Sequence, residues 1–153
     1  MIQRKQTIFL LLAILVMVGY IFAPVVKVEI GAAANYLYVT NLVFSKNVNF
    51  PVIGHYFVLL PLDSAFVAIG LNLLTIFLYR RRPLQIALCW LSVLPLLFSF
   101  CYVYYHWSVA PSTFDQYFYF GNLSPLIAIV FIFIAMFFIR KDEELVKSVD
   151  RLR

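Results

Sequence analysis

Two histidines, two cysteines and seven acidic residues are the obvious candidates for catalysis or metal binding in this chain of 153 residues. His55 and His106 flank long apolar runs and, with Glu29 or Asp115, could approach one another in space. A metal site needs three or four ligands at defined distances, so the two read as ordinary interfacial histidines. Cys89 and Cys101 fall in one expected helix, which separates them by ~18 Å. A disulfide needs Cα atoms within about 7 Å, so they do not pair with each other. Asp63 is an ionisable group at the edge of an apolar run, which makes it a functional suspect. Its place just after Pro61 reads instead as a helix N-cap at the outer interface. Asn72, Ser92 and Ser99 are sparse polar groups within apolar sequence, and Asn72 is expected to make an interhelical hydrogen bond. The sequence holds no phosphate-binding glycine loop, zinc-type cluster or nucleophile elbow. No Asp or Glu occurs from Ser64 to Tyr105 or from Phe120 to Ile139, which disfavours proton-coupled transport. The expectation is a protein that is not an enzyme and has no cofactor and no metal site.

The elements around these residues are apolar. The chain is 64% hydrophobic and 12% charged, against about 45–50% and about 25% for a soluble domain. Four runs approach or exceed the ~18–20 residues that cross a bilayer. The expected fold is all-α: a four-transmembrane-helix bundle, one domain over 1–153, with helices at about 7–24, 62–80, 83–107 and 122–145. An outer β-rich loop at 25–61 and a cytoplasmic tail at 140–153 complete it.

The basic residues orient the chain. Arg4, Lys5, Arg80, Arg81, Arg82, Arg140, Lys141, Lys147, Arg151 and Arg153 flank apolar runs; only Lys27 and Lys46 lie elsewhere. An arginine at mid-membrane costs about 2.5–3.5 kcal/mol, so Arg80-Arg81-Arg82 must be a turn in water or headgroups. Arg4, Lys5, Arg80, Arg81, Arg82, Arg140 and Lys141 then determine topology, with both termini cytoplasmic by the positive-inside rule. The net charge of +5 marks no nucleic-acid surface, because these residues form no separate soluble domain.

Taken in order, Thr7 to Ala23 is apolar and longer than a signal-peptide core, and Ala32-Ala33-Ala34 lies too far downstream for cleavage. A retained first helix is expected, in which Gly19 either allows close approach or is merely tolerated. Val26, Val28 and Ile30, then Tyr36, Tyr38 and Thr40, alternate with their neighbours as in half-exposed strands. Gly31 and Asn35 bracket a turn, and His55 to Leu60 is a candidate third strand. Pro83 suits a first helical turn, and Pro95 should kink the third helix. Tyr102, Tyr104, Tyr105 and Trp107 resemble an interfacial aromatic belt. Ser124-Pro125 reads as N-cap and first helical position of a fourth span that ends at Ile139, only ~22 Å long. In the tail, Leu145, Val149 and Leu152 share one face, a possible docking surface for a partner. Glu143 precedes Lys147 in the favourable order for an ion pair.

Met1-Ile2-Gln3-Arg4-Lys5-Gln6-Thr7-Ile8 and Arg140-Lys141-Asp142-Glu143-Glu144-Leu145-Val146-Lys147-Ser148-Val149-Asp150-Arg151-Leu152-Arg153 resemble the ends of a bacterial (Bacteroidetes) membrane-protein family, domain of unknown function 4293. The resemblance covers the whole chain in length and layout. It implies an inner-membrane protein of four helices and no assigned activity. The layout is also similar to claudin-like topology, although the first outer loop has neither Trp nor Cys, so junction formation does not follow. The functional expectation is a non-enzymatic accessory or scaffold subunit of a membrane complex. The alternative is a lipid or hydrophobic small-molecule binder or transporter. Expected partners are the lipid bilayer and either another membrane protein or a second copy of the chain.

Overall fold

Four helices carry the structure, a computed structural model that describes residues 3–30, 33–39, 59–79, 81–109, 115–118 and 120–151. They are α1 (Gln3–Phe22), α2 (Leu59–Phe77), α3 (Arg82–Val109) and α4 (Ser124–Arg151). Among the described residues, three apolar stretches are long enough to cross a membrane: Lys5–Phe22, Arg82–Tyr105 and Phe120–Val146. The fourth, Pro61–Phe77, falls just short, so the expected count of four full-length spans is corrected to three long apolar helices and one shorter one.

Several boundaries move for local reasons. α1 begins at Gln3 and stops at Phe22, because Pro24 opens a strand. α2 starts two residues before Pro61, since a proline in a first turn removes only an N–H that has no helical partner. Asp63 is therefore not an N-cap: it sits exposed inside the helix. α3 begins at Arg82, with the Arg81 carbonyl accepting the first bond from Gln85 N at 3.1 Å. Pro83 occupies its first turn and Pro95 lies within it. α4 runs for 28 residues, one helix of ~42 Å that continues past the apolar span into the basic tail, as the helical spacing of Leu145, Val149 and Leu152 leads one to expect. A 3-10 turn, Phe120–Leu123, leads into it.

The strands are β1 (Pro24–Ile30), β2 (Ala33–Tyr38) and β3 (Asp115–Phe118). β1 is central and antiparallel to both others. Val28 pairs with Asn35 on one side and Gln116 on the other, and a bulge lies between Pro24 and Val26. Asn35, expected at a turn, is thus within β2, because the hairpin closes tightly with Ile30 opposite Ala33. The sheet is not confined to the first outer loop, since β3 comes from the second. Of the expected third strand, His55 to Val58 lie outside the described residues, and Leu59 and Leu60 open α2.

α1 packs most extensively against α4 and α2 against α3, and the contacts of α3 with α4 and of α1 with α2 close the ring. Ile21, Ser64, Val93, Ile129 and Met136 are buried at the flanks of a seam, and the seam positions of each helix repeat every three or four residues, at a mean of 3.5. On α1 they are Gln6, Leu10, Ala13, Met17 and Tyr20; on α2, Ala65, Ala68, Asn72 and Thr75. On α3 they are Gln85, Cys89, Ser92, Leu96, Ser99 and Val103; on α4, Ala128, Ile132, Ala135, Ile139 and Asp142. The seam is rich in small residues, which lets helices approach closely where no hydrophobic contrast drives them together. The bulky residues face outward instead, among them Leu15, Phe22, Phe77, Leu94 and Phe137. So continuous an apolar exterior suits hydrocarbon rather than water. Gly19 also lies on open surface, where an added Cβ would meet nothing, so it serves no close approach.

Candidate functional site

One end of the bundle axis is polar, and its position follows from side-chain contacts. Arg82 Nη1 donates to the main-chain oxygen of Asp142 at 3.0 Å, joining the start of α3 to the end of the apolar part of α4. Phe9 stacks on Phe138 with ring centroids 5.5 Å apart, which brings the start of α1 to the same end. The basic segments at Lys5, Arg81–Arg82 and Arg140–Lys141 therefore share one end, and the sheet lies at the other. Lys5, Arg81, Arg140 and Lys141 are exposed and Arg82 is half-buried. Arg4 is helical, with its side chain outside the described set, and Arg80 lies outside the described residues altogether.

Inside this basic rim a set of polar groups faces the axis. Gln85 Nε2 donates to the Thr75 carbonyl at 2.9 Å, capping one of the last carbonyls of α2, which have no helical partner. Thr75 Oγ1 donates to Leu71 O at 2.8 Å and also bonds the thiol of Cys89. Ser92 Oγ donates to Cys89 O at 2.8 Å, a back-bond that lets a hydroxyl sit inside an apolar bundle. Asn72 Nδ2 donates to Ala68 O of its own helix at 2.8 Å. The expected interhelical bond of Asn72 is thereby corrected: its amide nitrogen is spent locally, and its oxygen faces the bundle interior without a partner.

That oxygen is one of four. Gln6 Oε1, Asn72 Oδ1, Gln85 Oε1 and Asp142 Oδ1 are all buried with no hydrogen-bond partner, one from each helix. Their residues are only 4%, 0%, 2% and 6% exposed. An unsatisfied buried acceptor costs about 1–3 kcal/mol, so four together are a substantial local cost. For Asn72 and Gln85 the oxygen is fixed as the acceptor, because the nitrogen of each amide already donates to a carbonyl. The apolar lengths of α1 and α3 concealed this cluster in the sequence, as did Gln6 and Asp142 lying among charged residues at the ends of runs. The recoverable signal was a 3.5-residue repeat of small and polar side chains, rather than of apolar ones.

The sheet end behaves differently. Tyr20 Oη and Ser99 Oγ are 3.0 Å apart and satisfy one another across the bundle. Gly121 sits so tightly on the first strand that an added Cβ would overlap the Pro24 carbonyl oxygen. Asn122 next to it is fully buried, with both amide atoms unpaired.

The remaining candidates do not assemble. Among the described residues, no three His, Cys, Asp or Glu come together as metal ligands. His55 is outside the described residues, as are the side chains of His106, Asp115 and Glu29, although the last two are register partners across β3 and β1. Cys89 is buried and Cys101 exposed, both as free thiols. In the tail, Leu145 is exposed beside Val146; Val149 is helical with its side chain undescribed, and Leu152 is outside the described residues.

A family model described as a domain of unknown function, DUF4293, matches residues 2–152. No curated protein matches the chain. No solved structure matches it either, so the claudin-like topology finds no support there.

Proposed function

From the premise that this chain belongs to the DUF4293 family, whose description assigns no activity, we propose a non-enzymatic accessory or scaffold subunit of an inner-membrane complex. In this reading all four helices span the bilayer. The shorter apolar stretch of α2 is within the ~17–25 residues that suffice. The basic end faces the cytoplasm, as expected where Lys and Arg accumulate. Both termini then lie inside and the sheet outside.

The observation that carries the scaffold reading is α4. It continues without interruption from Ser124 to Arg151, well beyond the basic rim at Arg140–Lys141. Beyond that rim Leu145 and Val146, the last residues of the apolar stretch, are each 45% exposed, apolar side chains held on a helix among charged neighbours. Such a face suits a helical partner, either another membrane protein or a second copy of this chain. Crosslinking in native membranes from a residue beside Leu145 should capture one recurrent protein. Capture of neither a partner nor a second copy overturns the reading. Orientation is tested separately: an engineered cysteine at Arg81 should label only from the cytoplasmic side.

The lipid or hydrophobic small-molecule reading keeps support from the polar column in an apolar bundle. Mass spectrometry of gently purified protein would favour it by finding one co-purified lipid at fixed stoichiometry.

A further inference from the structure

The four unpaired oxygens share a level and a chemistry. α1 and α3 run parallel across the diagonal of the bundle, tied by Tyr20 and Ser99. Gln6 precedes Tyr20 by fourteen residues and Gln85 precedes Ser99 by fourteen. Both glutamines therefore lie about 21 Å along the axis from that bond, at a common level. Asp142 reaches the same level from α4, four residues beyond Phe138, while Gln6 lies three before Phe9 in the stacked pair. Asn72 lies about one turn deeper, three residues before Thr75, whose carbonyl holds Gln85.

The Asn72 and Gln85 oxygens can only accept, and the complement of an acceptor is a donor or a cation. The oxygens are sealed from solvent, which leaves no room for water at them as they stand. A dehydrated sodium ion is smaller than a water molecule, and a dehydrated potassium ion is about its equal. Oxygen ligands suit hard cations, whereas transition metals favour imidazole and thiolate. Three neutral amide oxygens and one carboxylate balance a single positive charge, not two.

We propose that Gln6, Gln85 and Asp142, with Asn72 as a deeper fourth oxygen, bind one dehydrated monovalent alkali cation at the basic end of the bundle axis. The surrounding basic rim opposes entry of any cation: its exposed charges are screened beyond about 8 Å at physiological salt, but Arg82 is half-buried and lies against the Asp142 main chain. The site is thus a weak one, held by coordination rather than by long-range attraction. It ties all four helices at one level and does not depend on the scaffold reading.

The test is thermal unfolding of the full chain in mild detergent, in sodium or potassium chloride against choline chloride at equal ionic strength. Wild type should gain a saturable increase of roughly 3–6 °C at about tenfold over half-saturation. Gln85→Met and Asp142→Asn should each lose that increment while keeping the helical circular dichroism seen in choline. Equal midpoints in alkali and choline overturn the proposal. So does an increment that survives in both variants, which would be a surface salt effect. If a variant fails to fold, sodium NMR on wild type decides. Line broadening reversed by potassium supports the site, and broadening no greater than that of empty micelles refutes it.

Discussion

The two halves of the bundle axis solve the same packing problem with opposite chemistry. Toward the sheet, Met17, Leu96, Ala65 and Ala128 fill the seam, and Tyr20 and Ser99 satisfy one another. Toward the basic rim, Gln6, Asn72, Gln85 and Asp142 occupy the same kind of seam position yet keep an acceptor unpaired. Both halves are equally buried, so burial does not distinguish them; the completeness of hydrogen bonding does. In a bilayer, unpaired polar groups are expensive and usually functional. The sheet half therefore looks like the structural clamp and the basic half like the place where something binds. Asn122 is the exception at the sheet end, fully buried with both amide atoms unpaired.

Substitutions should separate the halves, and SDS-induced unfolding followed by circular dichroism in choline buffer would measure them. Leu96→Ala opens a cavity in the apolar half and should cost about 3 kcal/mol. Gly121→Ala forces a Cβ onto the Pro24 carbonyl, a backbone atom that cannot turn aside, and should cost about 2 kcal/mol. Asn72→Leu should act with the opposite sign. It removes a buried acceptor that has no partner, and should stabilise the protein by about 1 kcal/mol. A loss as large as that of Leu96→Ala would erase the distinction between the halves. Tyr20→Phe should cost least, about 0.6 kcal/mol, since interhelical hydrogen bonds in membranes are weak on average.

The helices were legible in the sequence because long apolar runs bounded by basic residues mark where each one starts and stops. Pro83 and Ser124-Pro125 marked the starts of α3 and α4 for the same local reasons. Asp63 misled because its side chain can cap, while the nearby proline allowed the helix to begin earlier. The site was scarcely legible. Asn72 stood out as an amide in mid-run, but Gln6 and Asp142 lie beside Lys5 and Lys141 and read as solvated ends. The β3 strand was missed because it is only four residues long.

By itself, the sequence determined that this chain has long apolar helices, and that ten of its twelve cations fall in three clusters. The cost of charge in hydrocarbon makes that pattern a local property of the chain. Only the tertiary structure decided which face of each helix turns inward. These helices are apolar all round, so hydrophobicity cannot select a face. Close packing selects it instead, placing Ala13, Ala68, Ser92 and Ala135 on the seam and carrying four polar oxygens to one end of it.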